Sequence, residues 1–387
     1  MGAFSFVSWN WSVWMGLTTL FFWLAPSHSR TKLLFVATVL FLAITDLQSC
    51  ALLGVMTFMT YIATDKKDVK GKQVFISIGL IVCILFFYKW MKASLVSVRE
   101  FGVDIIIPLG LSYYSLRCIH FILERYKGKI GSQDIQNLVA YLFFLPTIWI
   151  GPIHCFEDYI KDLRRHRWDA ELFSRGLERI LYGYVKVVIL GNVVLNTLYP
   201  QWVSSLVGTE TQLAQYLELV RGGLEIYLLF SGYSDIAIGF GNLLGFKIME
   251  NFKWPYFQKN ISSFWQSWHI SLTSWCRRYI YTTVIASTRS PALGVISTLI
   301  IIGLWHELSV RYILWGLYHG IGIVVWQYSQ GIREMLPTIN SKATRLLLDY
   351  LSIFITVHFV WLSFLLVKQP NIESIVTTMK ALFLGVF

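Results

Sequence analysis

The chain has 387 residues, of which 55% carry hydrophobic side chains, 16% are aromatic and only 14% are charged, with a mean hydropathy of +0.56. That leaves too little polar surface to coat a water-soluble globule, so the composition points to a protein solvated by lipid. The formal net charge of +11 does not indicate nucleic acid, because the basic residues stand in short clusters between apolar runs and form no separate basic and aromatic module.

A bilayer core about 30 Å thick takes roughly 20 apolar helical residues per crossing, and a chain inside it must satisfy its own backbone hydrogen bonds. In chain order, apolar runs at Trp11–Ala25, Leu33–Thr45, Leu47–Thr64, Gln73–Tyr88, Ile105–Leu123 and Ile135–Ile150 predict helices through the first half. Further runs follow at Leu177–Leu198, Leu213–Phe230, Ser290–Trp305, Tyr312–Gln330, Tyr350–Val367 and Ile372–Phe387. Several are short for a full crossing, which suggests re-entrant or interfacial helices inside the bundle. The expected fold class is an all-α polytopic membrane protein of about ten to thirteen helical segments. No long Pro, Ser or Gly linker and no internal repeat divides the chain, so one domain over residues 1–387 is expected.

No Lys or Arg precedes Arg30, so the first run lacks the basic flank of a cleaved signal peptide and reads as a retained span. Phe6 stands where a myristoylation signal has Ser or Thr. The linkers Arg30–Lys32 and Asp65–Lys72 are separated by two apolar runs and are both basic, which places them on the cytoplasmic side. The cluster Lys161, Arg164, Arg165 and Arg167 shares that side only if the run Ile135–Ile150 does not cross, and a re-entrant hairpin at Gly151-Pro152 meets that condition. Cys50, Cys83, Cys118, Cys155 and Cys276 form no CxxC pair, and His28, His154, His166 and His358 form no HExxH or i, i+4 pair. Buried thiols and no metal site are expected.

Polar groups inside a membrane cost several kcal/mol, so each needs a partner or a task. In EIYLLFSGYSDIAIGFGNLLG, Glu225 and Asp235 sit among apolar residues and glycines, a pattern that reads first as a polar knot between closely packed helices. In SFWQSWHISLTSWCRRYIYTTVI, one helix over Ser263–Ile285 would align Trp265, Trp268, His269, Leu272, Cys276 and Tyr279 on a face, with Arg277 and Arg278 elsewhere. Such a helix suits the membrane interface, its arginines toward phosphate or an anionic donor, or it is simply an anchor. In IIIGLWHE, His306 follows a long apolar run, and a neutral imidazole buried deep in such a segment would accept a proton as a general base or make a structural hydrogen bond. His120 and His319 read as packing residues.

These segments, in this order, resemble the membrane-bound O-acyltransferase family, and within it the bacterial branch that includes alginate O-acetyltransferase and the D-alanyl transferase of teichoic acids. The likeness runs from IIPLGLSYYSLRCIHFILERYKG through NLVAYLFFLPTIWIGPIHCFEDY and LFSGYSDIAIGFGNLLGFKIMENFKWPYFQKNISSFWQSWHISLTSW to GLWHELSVRYILWGLYHG, roughly residues 105–322. The resemblance implies a ring of helices around a central tunnel, with His306 of the GLWH motif as catalytic residue and His269 of WHISL as a second functional histidine. Trp268 and Trp305 beside them, with Asp235 and Arg277, are the candidate substrate-binding residues. Two departures stand out: Glu307 follows the motif histidine where the family often has Gly, and Arg278 replaces an acidic residue.

The expected activity is transfer of an acyl group, acetyl in the preferred reading, from a cytoplasmic thioester to a hydroxyl of an extracytoplasmic polysaccharide or glycan. The donor would be acetyl-CoA or an acyl carrier protein, with no bound cofactor and no metal. The setting would be the bacterial inner membrane, with membrane lipids, an envelope polysaccharide acceptor and a secreted or periplasmic acyltransferase as partners, and no nucleic acid. Two alternatives are D-alanyl transfer to a teichoic-acid-type polymer, directly or by relay to a secreted enzyme, and a transporter whose Glu225, Asp235 and His306 line a polar path.

Overall fold

The computed structural model describes residues 7–65, 69–94, 110–131, 134–165, 167–207, 211–335, 341–369 and 371–384. Among them the chain is almost entirely helical, and the single β contact is an isolated bridge between Phe252 and Trp268. Five helical stretches are long and apolar enough to cross a bilayer: Ser27–Thr45, Leu47–Thr64, Gly71–Met91, Ala170–Val207 and Lys342–Lys368. Pro291–His306 is a shorter apolar helix. The protein is thus an all-α polytopic membrane protein, as its composition requires.

Several helix starts are written locally. Asp46 ends one span and caps the next, its Oδ1 accepting from the Ser49 N–H at 3.0 Å, so Leu47–Thr64 begins where the apolar run does. Ser290 caps Pro291–His306 with Pro291 at its first position, where the missing N–H costs nothing. Part of the run predicted from Ile105, through Leu109, and the linker residues Lys66 and Lys67 lie outside the described residues.

Two expected elements differ. Within Ile135–Ile150 only Ile135–Leu142 is α-helical, 8 residues followed by a 3-10 turn at Leu145–Thr147. Such a helix rises about 12 Å against a core of about 30 Å, so this run does not cross as a helix and the re-entrant alternative fits. The single helix expected over Ser263–Ile285 is broken into Ile261–Ser267, Ile270–Cys276, a π-helical stretch Arg277–Tyr281 and Thr282–Thr288.

By its contacts the chain divides into two compact units, Met1–Val185 with Gly232–Met249, and Lys186–Ser231 with Glu250–Phe387. In the first, an aromatic core joins Trp11, Phe41 and Trp149, with Trp11 stacked on Trp149 at 5.1 Å. Helix Ala170–Tyr184 and the Gly232–Leu243 end of helix Gln212–Leu243 approach through glycines. A Cβ on Gly239 would stand 2.7 Å from the Gly176 carbonyl oxygen, and one on Gly183 2.7 Å from that of Gly232. Without side chains at these points the backbones touch, which is how helices gain packing energy where lipid supplies no hydrophobic drive. In the second unit, Pro291–His306 packs on Val310–Glu334 in the same manner, since a Cβ on Gly303 would meet the Tyr312 carbonyl oxygen at 2.2 Å.

Candidate active site

The second unit brings both motif histidines to one side chain. His306 is the last residue of its helix; Glu307 leaves it in extended conformation. The helix end exposes the His306 imidazole while Trp305 is buried at 9% exposure. This corrects the expectation of an imidazole deep in an apolar run, because the run ends at this residue. His306 lies 4.9 Å from the Trp305 ring, 5.9 Å from Tyr312 and 5.9 Å from Trp315. The close Gly303 contact fixes the helix against the turn that carries Tyr312 and Trp315, so backbone packing sets the position of His306.

His269 is buried at 2% exposure and sits 6.0 Å from the same Trp305 ring and 4.7 Å from Phe230. Its backbone is left-handed, with φ 44° and ψ 51°, a region that non-glycine residues enter at a cost of about 1–3 kcal/mol. A neighbouring segment holds the kink. The Phe252–Trp268 bridge lies beside it, the Lys253 N–H donates to the Ser267 carbonyl at 2.9 Å, and the Ile270 N–H donates to the Asn251 carbonyl at 2.9 Å. The Asn251 side-chain oxygen also accepts from the Ser271 hydroxyl at 2.7 Å and its N–H at 3.3 Å. Asn251 is fully buried, and the sequence gives it no mark beyond being a polar residue in a connection.

The remaining candidates divide. Trp268 is locked in an aromatic cluster, stacked on Tyr256 and Phe264 and edge-on to Phe252, which makes it a wall that orients the kink. Arg277 is exposed and lines a cavity of about 220 Å³ together with Trp265, Gln266, Thr298, Ile302 and Gln327. Ile302 lies one turn before His306 on the same helix face, and Trp265 packs on Trp315, which touches His306. Asp235 belongs to the first unit and is paired there with Arg179 at 2.6 Å, whereas Glu225 in the second unit is paired with Arg221 at 3.2 Å. The two acids therefore do not form one knot; each has its own arginine.

His319 is buried, with Nε2 at 2.9 Å from the Ser363 hydroxyl and Nδ1 accepting from the Trp265 indole at 3.4 Å, so both ring nitrogens are engaged structurally. Glu307 pairs with Arg311 at 2.9 Å, one turn on, and Arg311 also donates to the Gln369 carbonyl. That family departure serves as a local brace. Among the described residues, His120, Cys155 and Glu157 are the one group whose ligand atoms lie together, within 4.8 Å. The His120 Nε2 accepts from the Phe156 N–H at 3.0 Å and also stands 3.1 Å from the Glu157 carboxylate.

Residues 74–369, which include both histidines and the elements that position them, match the family described as MBOAT, membrane-bound O-acyltransferase. The chain belongs to this family. Among curated proteins it is similar to the probable alginate O-acetylase AlgI of Pseudomonas putida, 28% identical over 79% of this chain and 66% of the relative. It is also similar to the teichoic acid D-alanyltransferase of Bacillus subtilis, 27% identical over 67% of this chain and 68% of that protein. The peptidoglycan O-acetyltransferase of Helicobacter pylori is 25% identical over 80% of this chain and 65% of that protein. The chain spans a little under two thirds of the length of the first of these relatives.

Proposed function

We propose that this membrane-bound O-acyltransferase family member transfers an acyl group, acetyl in the preferred case, from a cytoplasmic thioester to a hydroxyl of an envelope polysaccharide or glycan. The observation that carries the reading is the meeting of His269 and His306 at Trp305, one imidazole exposed and the other buried. The names of the relatives, which act on alginate, teichoic acid and peptidoglycan, support an envelope polymer as acceptor.

In the proposed step, His306 takes the proton of the acceptor hydroxyl as its oxygen attacks the thioester carbonyl carbon. The new ester C–O bond forms, the C–S bond breaks, and the imidazolium returns the proton to the leaving thiolate. General-base assistance of this kind is worth about 10²- to 10⁴-fold in rate. The carbonyl end of helix Pro291–His306 favours the cation that forms transiently on His306. His269 orients the donor or donates to the developing oxyanion, and its strained, clamped backbone supports a preorganised role. Arg277 and the cavity beside it would hold a polar or anionic part of a substrate. The donor is coenzyme A thioester or a carrier protein, the setting is the bacterial inner membrane, and a secreted acyltransferase completes the transfer if the chain acts as one half of a relay. Asp235 and Glu225 are each paired with an arginine, which supports structural roles for them over a transport path.

The test is turnover of radiolabelled acetyl-CoA by the purified full chain in lipid nanodiscs, wild type against a folded His306→Ala variant. Transfer or hydrolysis that disappears in the variant supports the proposal. Full turnover by the variant overturns the role of His306.

A further inference from the structure

Apart from the histidine pair, the first unit holds an open cleft of about 730 Å³ lined by Arg164, Arg165, Arg167 and Lys247, with Asp162, Trp168 and Asp169 among its walls. Four cations against two carboxylates leave a formal surplus of two positive charges (4 − 2 = 2). Both carboxylates are already committed. Asp162 accepts from the Lys247 N–H at 2.8 Å and stands 4.0 Å from Arg165, while Asp169 caps helix Ala170–Tyr184 by accepting from the Leu172 N–H at 3.0 Å. Among the described residues, no carboxylate lies within salt-bridge distance of Arg164, Arg167 or the Lys247 ammonium. Like charges gathered around one cavity repel unless an anion lies between them.

The placement of the cleft narrows the anion. Its wall residue Ala170 begins the apolar stretch Ala170–Val207, which is long enough to cross the bilayer. Trp168, 53% exposed, packs edge-on against Trp23 at 4.9 Å. The guanidinium of Arg30, in the crossing stretch Ser27–Thr45, lies 4.7 Å over the Trp23 ring. Tryptophan and arginine gathered where crossing helices begin mark the level of lipid phosphates.

We propose that this cleft is a phosphate-binding site at the membrane–water interface. Guanidinium groups suit phosphate because their paired N–H donors match two phosphate oxygens, and Lys247 adds a point charge. Two sources carry the same chemistry: the phosphodiester of an anionic phospholipid in the adjoining leaflet, and the phosphate of a soluble phosphonucleotide. The site stands whether or not the chain transfers acyl groups, so its test reads binding alone.

The experiment uses native mass spectrometry of the purified full chain in detergent with phosphatidylglycerol or phosphatidylcholine added, alongside calorimetric titration with adenosine 3′,5′-bisphosphate. Wild type is compared with Arg164→Gln/Arg167→Gln/Lys247→Gln and with the charge-keeping Arg164→Lys/Arg167→Lys. Each interfacial charge is worth about 1 kcal/mol, so the triple variant should bind on the order of 100-fold more weakly, and the charge-keeping one, which loses the paired N–H donors but not the charge, should fall between it and wild type. Charge-dependent loss for phosphatidylglycerol assigns a lipid; the same loss confined to the bisphosphate assigns a soluble ligand. Binding of neither anion, or equal binding by wild type and the triple variant, overturns the site. The charge-keeping pair controls for misfolding at two of the three positions, since it alters Arg164 and Arg167 without removing their charge.

Discussion

His269 and His306 approach the same indole from two helices, with ring centroids 6.0 and 4.9 Å from that of Trp305. If they share one reaction, removing either should lower turnover while the protein stays folded, and removing both should cost far less than the product of the single losses. We expect about a 10²- to 10⁴-fold fall for His306→Ala and a comparable or smaller one for His269→Ala. Acetyl-CoA turnover in nanodiscs of the two single variants and the double variant checks this; multiplicative losses would mean that the histidines act independently.

The His269 backbone offers a second test, because side chain and conformation can be separated. His269→Gly keeps the left-handed kink at no strain and deletes the imidazole, whereas Asn251→Ala keeps the imidazole and removes the clamp on Ser271. Leaving the buried Ser271 donors unsatisfied should cost about 1–3 kcal/mol. We expect His269→Gly to unfold no earlier than His269→Ala and to be equally inactive, and Asn251→Ala to lose both stability and turnover. Thermal unfolding in detergent, followed by fluorescence, reads the first quantity and acetyl-CoA turnover the second.

The kink also shows where sequence stops being sufficient. Apolar residues at three- and four-residue spacing continue past Trp268, so periodicity draws one helix, while the break is held by Asn251 and the Phe252 bridge from a separate segment. Nothing local to WHISL reports that contact. Asp235 illustrates the same limit, since its partner Arg179 lies on a different helix, whereas the Glu225 partner Arg221 is one turn away and was open to reading from the i, i+4 spacing. By contrast, the spans were legible because lipid imposes length and hydropathy directly on each segment, and the histidines stood out because motif order identified them. Tyr312 and Trp315 lie within the stretch GLWHELSVRYILWGLYHG, but their place beside His306 became visible only through helix packing.

Helix packing should therefore control the site from a distance. A Cβ at Gly303 would stand 2.2 Å from the Tyr312 carbonyl oxygen, and that atom is backbone, so it cannot swing aside. Gly303→Ala must push helix Pro291–His306 away from Val310–Glu334 and with it displace His306 from Tyr312 and Trp315. Overpacking of this kind costs about 1–3 kcal/mol, and misplacement by 1 Å can cost about 10²-fold in rate. We expect a strong loss of turnover with only a moderate fall in unfolding temperature. Gly331→Ala, where an added Cβ meets nothing within 4 Å, is the matched control and should leave both unchanged.

The Arg179–Asp235 pair separates a structural polar group from a transport site. Asp235 is 5% exposed, lies 2.6 Å from Arg179 and stands on the helix that meets Ala170–Tyr184 through Gly176 and Gly239. Breaking such a pair on one side leaves a buried charge uncompensated, at about 3–5 kcal/mol, whereas replacing both partners by apolar residues of similar volume is often neutral. We expect Asp235→Leu and Arg179→Met each to destabilise the protein strongly, and the double variant to recover most of the loss in a thermal-unfolding cycle. A structural pair predicts that turnover returns along with stability in the double variant. A substrate-binding Asp235 predicts that stability returns while turnover stays lost, because no carboxylate remains to meet the substrate.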